Sequence, residues 1–144
     1  MSGYDAAKRI KGRKRHLIVD TLGLVLKAFV TEANYQDREV ASWLVPALPM
    51  SFPRLRRLWA DGGYTGEWLS KLPEGFPLQV EIVAREPGTQ GFKLLPKRWV
   101  VERTFAWLNH FRRLSKDYEY WVYTADAMIY AAMVRLMLGR LARL

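Results

Sequence analysis

The chain has 144 residues, half of them hydrophobic, enough for one globular domain with a sizeable core. Its formal net charge of +9 points to a polyanionic partner, nucleic acid first, because every Lys or Arg that neutralises a phosphate releases condensed counterions. With no cysteine, and only His16 and His110 as histidines, disulfides, Cys-ligated zinc and a His-rich metal site are excluded, so any metal must be held by carboxylates.

The first element in chain order is a basic run between Gly3 and Arg15. Lys8, Arg9, Lys11, Arg13, Lys14 and Arg15 place six cations within eight positions, with Gly3 and Gly12 lending flexibility. Residues 1–15 are therefore expected as an arm that contacts phosphates, and 16–144 as the main domain. A β-hairpin follows, since Leu17-Ile18-Val19 and Leu24 to Val30 are aliphatic runs separated by Asp20-Thr21-Leu22-Gly23. Asp37 is expected to cap a helix reaching about Leu48, with Val40, Trp43, Leu44 and Ala47 at helical spacing and Pro49 and Pro53 closing it.

Leu55 to Ala60 reads as a short strand that stops at Asp61-Gly62-Gly63-Tyr64, with a helix start over Gly66 to Leu72. Leu78 to Ala84 is a further strand and Glu86 to Gly91 a turn-rich loop. From Lys97 to Leu114 the spacing predicts an amphipathic helix. Val100, Thr104, Trp107, Phe111 and Leu114 form one side; Arg98, Glu102, Ala106, Asn109 and Arg113 form the other. A last helix over Ala125 to Leu141, capped by Thr124, directs Met128, Ile129, Ala132, Leu136 and Met137 inward. Asp126, Arg135, Arg140 and Arg143 interrupt this stretch, so neither a membrane span nor a membrane partner is expected, and the chain is expected to be cytoplasmic, at the nucleoid when bound to DNA.

Elements in this order make an α/β fold with a mixed sheet flanked by helices. Two acids stand out within it. Asp61 ends a strand and precedes two glycines, where a metal or phosphate can approach closely, although the same tripeptide also makes an ordinary turn. Glu102 is an acid in a polar helical stripe, which an i,i+4 ion pair with Arg98 also explains. Trp99, Phe105 and Trp107, at helical spacing beside Val100 and Leu108, read as core rather than as base-stacking groups.

The run from Arg98 to Leu108, containing Val101-Glu102-Arg103, resembles transposases of the insertion-sequence-five group. Three earlier blocks carry the same resemblance in order: Gly3-Tyr4-Asp5 through Arg15-His16 into Ile18-Val19-Asp20-Thr21-Leu22-Gly23, then Gln36-Asp37-Arg38, then Trp59-Ala60-Asp61-Gly62-Gly63-Tyr64. The resemblance implies a ribonuclease-H-like fold in which an Asp, Asp and Glu set holds two magnesium or manganese ions for cutting and joining DNA at element ends. Asp61 matches the second acid and Glu102 the third, while Leu95 and Asn109 replace the Tyr and Lys that flank the third acid in related enzymes.

The family's first strand and its acid have no match here, and Asp5 and Asp20, in the arm and a turn, are not substitutes. The implied function is a DNA transposase fragment, inactive alone; the alternative is a catalytically dead DNA-binding remnant or a repressor of transposition. DNA contacts are expected from the arm cations with Arg98 and Arg103, and the expected partners are transposon ends, the upstream transposase segment and further copies of the chain.

Overall fold

The computed structural model describes residues 2–6, 9–83 and 97–143. The chain divides into two units, 1–35 with 100–144, and 36–99.

The first unit is built on an antiparallel sheet of β1 (Gly3–Asp5), β2 (Ile10–Val19) and β3 (Val25–Glu32), in the order β1-β2-β3. The hairpin expected from the two aliphatic runs is the β2-β3 pair, with Arg15 opposite Val30 and Leu17 opposite Ala28. Its turn is closed by Asp20, whose Oδ1 accepts the backbone N–H groups of Leu22 at 2.9 Å and Leu24 at 2.8 Å. Gly23 supplies the left-handed residue of that turn, with φ of +81°.

Much of the basic run is strand rather than arm. Gly3–Asp5 pairs with Ile10–Gly12, and the cations from Lys11 to Arg15 lie on β2. A strand alternates its side chains between two faces, so Arg13 and Arg15 share the face of Leu17, which packs against the core. Asp5 is buried and faces Lys14 at 3.4 Å, an ion pair within the sheet.

Helix α3 (Val122–Leu141) covers β3 with Ala125, Ile129 and Ala132, and these meet Ala28, Val30, Leu108 and Leu114 in one buried cluster. By length and composition alone α3 is apolar enough to cross a membrane. It starts three residues before the expected Ala125. Trp121 is its N-cap, and the Thr124 hydroxyl donates back to the Trp121 carbonyl at 2.8 Å instead of capping.

Helix α2 (Arg98–Asn109) buries Val100, Thr104 and Leu108 and leaves Glu102, Ala106 and Asn109 exposed, as its period requires. The expected continuation to Leu114 is instead a sharp turn: the Phe111 N–H bonds the Leu108 carbonyl at 3.0 Å, and Leu114 enters the core through a 3-10 turn over Arg112–Leu114. Trp99 is exposed rather than core, and Trp107 is flanked by the guanidinium groups of Arg103 at 4.7 Å and Arg140 at 4.5 Å from its ring centre.

The second unit contains α1 (Asp37–Ser51) and a parallel pair, β4 (Arg57–Asp61) with β5 (Gln79–Val83), which confirms both expected strands. Gln36, not Asp37, is the N-cap of α1. The Gln36 N–H donates to Glu39 Oε2 at 2.8 Å, and the Gln36 side chain completes a reciprocal capping box. Pro46 and Pro49 lie inside the helix, which continues through them to Ser51 because Val40, Ala41, Val45 and Leu48 hold its inner face in the core. Gly66 to Leu72 forms only a 3-10 turn over Glu67–Leu69, anchored by buried Trp68, whose Nε1–H donates to the Tyr64 carbonyl at 2.8 Å. The expected loop over Glu86 to Gly91 and position Leu95 lie outside the described residues.

Candidate active site and nucleic-acid surface

A parallel strand cannot return through a two-residue turn, so the chain leaving β4 must break away at its C-terminal end. Asp61 is the last residue of that strand, in register with Val83 of β5. Alternation puts it on the β4 face of Arg57 and Trp59. On that face the Trp59 indole N–H donates to Glu81 Oε2 at 2.7 Å, and the Lys97 ammonium stands 4.4 Å from the Trp59 ring centre.

Directly after Asp61 the chain enters a 3-10 turn over Gly62–Tyr64, and Asp61 Oδ1 accepts the Gly63 N–H at 3.0 Å. The first residue of α1 reaches the same turn. A side chain at Gly63 would place its Cβ 3.2 Å from Asp37 Oδ2 and 3.2 Å from Asp61 Oδ1, so glycine is what lets the two carboxylates crowd this backbone. Burial pushes the Tyr64 phenol above the usual tyrosine range, and the charges of Asp37 and then Asp61 push it the same way. Tyr64 is therefore a protonated, neutral group beside two acids. The sequence pointed to Asp37 as a helix cap and as part of the Gln36-Asp37-Arg38 block; its nearness to Asp61 is seen only in the fold.

Glu102 belongs to the first unit, on the exposed side of α2. One residue on, Arg103 turns back toward the β2-β3 turn, where its Nη2 donates to the Leu22 carbonyl at 3.0 Å. Buried Thr104 holds the same turn, with its hydroxyl 2.7 Å from the Gly23 carbonyl and 3.1 Å from that of Val100. The backbone around Glu102 is thus tied to the hairpin by its two following residues. Among the described residues no group of three or more His, Cys, Asp or Glu side chains is arranged to hold a metal. Asp61 and Glu102 are hard oxygen donors, the type that magnesium or manganese takes.

The cations expected to meet DNA differ in what already engages them. Arg13 donates from Nε to Asp117 Oδ2 at 2.7 Å and from Nη2 to the Glu119 carbonyl. Arg15 donates to the Leu114 carbonyl at 2.7 Å and the Lys116 carbonyl at 3.0 Å. Both are used to pin the segment that follows α2 onto the sheet. Burial lowers the pKa of Arg15, the Asp117 charge raises it, and neighbouring Arg13 lowers it. Lys14 bonds the Tyr35 carbonyl at 2.9 Å. Arg9, Lys11 and Arg98 are exposed, and Lys8 lies outside the described residues.

A strand-terminal acid in a glycine turn and a helix-borne acid, presented by a strongly basic chain, agree with the comparison to protein families. The chain belongs to the DDE transposase-domain family, whose model matches residues 2–137. It is also similar to a protein of Burkholderia cepacia named for the transposase of insertion sequence element IS402, with 35% identity over 115 residues, 75% of this chain and 54% of that protein. The chain thus spans about half the length of the relative it matches. No solved structure matches it.

Proposed function

We propose that this chain is the part of an insertion-sequence transposase that carries the second and third acids of a metal-dependent site for cutting and joining DNA at element ends, with a ribonuclease-H-like arrangement in the whole enzyme. The observation that supports it best is Asp61 itself. Its carboxylate ends a parallel strand, is oriented by the Gly63 N–H, and is followed by two glycines that leave room for a close approach.

Asp61 and Glu102 would hold divalent magnesium or manganese, which supplies charge stabilisation to the attacking and leaving oxygens of a phosphodiester. The chain's own residues do the rest. The Gly63 N–H orients Asp61, neutral Tyr64 adds no competing negative charge, and Arg103 and Thr104 fix the helix that bears Glu102. Lys8, Arg9, Lys11, Lys14, Arg98 and Arg103 are proposed to contact phosphates. Arg13 and Arg15 contribute field while keeping their internal bonds. Six or more such contacts imply that affinity for DNA falls by roughly a thousandfold or more between about 50 and 200 mM salt. Salt-independent affinity in a titration would remove the DNA reading.

The resemblance assigns two acids to this chain where the reaction uses three, so we propose that these 144 residues alone do not cleave. The deciding assay is cleavage of an element end with magnesium or manganese, by the chain alone and with the upstream transposase segment supplied. Cleavage should need both segments and be lost in Asp61→Ala. Cleavage by the chain alone would show that another residue completes the site. Failure with both segments would leave a DNA-binding repressor as the better reading.

A further inference from the structure

From the segment after α2 into the first turn of α3 the chain carries Arg112, Arg113 and Lys116, then Tyr118, Tyr120, Trp121 and Tyr123. These are four aromatic rings in six positions directly after three cations. A run so rich in large rings is ordinarily core, but here the rings face out: Tyr118 is 56% exposed, Tyr120 76%, Trp121 51% and Tyr123 67%. Contiguous exposed apolar surface of this type marks a binding site more often than it marks chance. The rings are also ordered against one another. Tyr120 meets Trp121 edge to face at 4.8 Å between centres, and Trp121 lies nearly parallel to Tyr123, with planes 17° apart and centres separated by 6.0 Å.

The platform is held from beneath. Arg13 grips Asp117 and the Glu119 carbonyl, Arg15 grips the carbonyls of Leu114 and Lys116, and Arg113 pairs with Glu119. These bonds fix the backbone of the segment, which lowers the entropy lost when a ligand docks. They also neutralise both acids in it, so that exposed Arg112 and Lys116 set the sign of the local charge. The Arg113 hydrogen bond holds the Glu119 carboxyl below its usual range, so the charge pairing extends further into acid than an ordinary glutamate would allow. Arg112, Arg113 and Tyr118 line an open cavity of about 410 Å³ beside the rings.

We propose that Arg112–Tyr123 is a stacking platform for unpaired DNA bases, with Tyr120, Trp121 and Tyr123 taking base faces and Arg112 and Lys116 the adjoining phosphates. Aromatic faces interleaved with cations are what an unpaired strand recognises, because every base has a π-face and every linkage a charge. Duplex DNA hides those faces, so this surface distinguishes an opened strand from a closed one. The proposal rests on the DNA reading above and adds to it a site that neither Asp61 nor Glu102 contributes to.

The test is fluorescence anisotropy with a labelled oligothymidylate and with a blunt duplex of equal length, using the wild-type chain, Tyr120→Ala/Tyr123→Ala and Tyr120→Phe/Tyr123→Phe. Each substituted ring should weaken single-strand binding by about fivefold or more. Duplex affinity should stay within about twofold, and the phenylalanine variant should keep single-strand affinity because it keeps the rings. Equal losses on both DNAs, no loss on either, or a phenylalanine variant as weak as the alanine one would overturn the platform. So would an alanine variant that dissociates a homo-oligomer while single-strand affinity stays intact, which would mark the patch as an interface between copies. Duplex binding without single-strand binding would sink the platform and spare the DNA reading, whereas no binding to either DNA would sink both. As a measurement independent of the variants' folding, photo-cross-linking of the wild-type chain to a bromodeoxyuridine oligonucleotide should map to residues 118–123, and cross-links confined elsewhere would also overturn it.

Discussion

Two strands of this chain run into an aspartate followed closely by glycine, and the two turns differ in kind. After β2, Asp20 closes the turn, because an antiparallel return brings the Leu22 and Leu24 N–H groups back onto its Oδ1. After β4 the return is parallel and distant, and among the described residues the backbone N–H that Asp61 accepts is that of Gly63. The same local chemistry gives a structural staple in one unit and a candidate metal ligand in the other. What separates them is how the strand is paired.

The contrast is broken most directly by exchanging function for stability at the two acids. In the reconstituted transposase, Asp61→Asn should lower cleavage by about a thousandfold or more while shifting stability by less than about 1 kcal/mol. Asp20→Ala should do the reverse, costing about 1–2 kcal/mol through unpaired N–H groups with the rate per folded molecule retained. Paired cleavage assays and urea titrations check both. Equal behaviour of the two variants would contradict the distinction.

The glycines sharpen the same comparison. Gly23 has φ of +81°, and a Cβ there would lie 2.8 Å from the Thr104 hydroxyl and 2.9 Å from the Trp107 ring. Gly23→Ala should therefore destabilise by about 2–3 kcal/mol, read as a lower denaturation midpoint. At Gly63 the nearest atoms are the ends of the Asp37 and Asp61 side chains, which can yield. Gly63→Ala should leave stability within about 1 kcal/mol and reduce cleavage instead, because Asp61 must move by a few tenths of an ångström. A large loss of stability at Gly63 would show that its turn is structural, like the other.

The smallest expected effect concerns an acid placed under the sheet rather than at a strand end. Burial raises the Asp126 pKa, against the hydrogen bond from the Val30 backbone and the charges of Lys27 and Arg13, and its Oδ1 has no hydrogen-bond partner. A folded-state pKa above the unfolded one favours the folded state below the unfolded pKa, and that advantage is lost as pH rises through the folded value. At neutral pH the charge therefore costs stability. Asp126→Asn should raise the melting temperature there, by a free energy below about 1 kcal/mol because the group is only partly buried, and bring no gain in acid. Melting curves at the two pH values decide it.

The strands, the hairpin turn, the inner stripe of α2 and the family were legible in the sequence, because each rests on local patterning: aliphatic runs, a turn dipeptide, a 3.6-residue period and ordered motifs. Helix ends were less so. Gln36 displaced Asp37 as a cap through a reciprocal bond with Glu39, Trp121 took the place of Thr124, and α1 ran through two prolines because buried contacts outweighed the lost backbone bonds. The basic run misled for a different reason. Charge density suggests a solvated arm, but alternation on β2 turns Arg13 and Arg15 to the face of Leu17, and they find partners about a hundred positions away, at Asp117 and Leu114.

The sequence by itself determined a strongly basic chain, because residue identity carries charge directly, and its ordered motifs, through their resemblance to the transposase family, named Asp61 and Glu102 as candidate acids. Tertiary structure alone decided what each aspartate turn is built on, that Arg13 and Arg15 bond inside the protein, and that a run of tyrosines and a tryptophan faces outward. Those outcomes depend on strand pairing and on partners distant in sequence, and no local pattern encodes either.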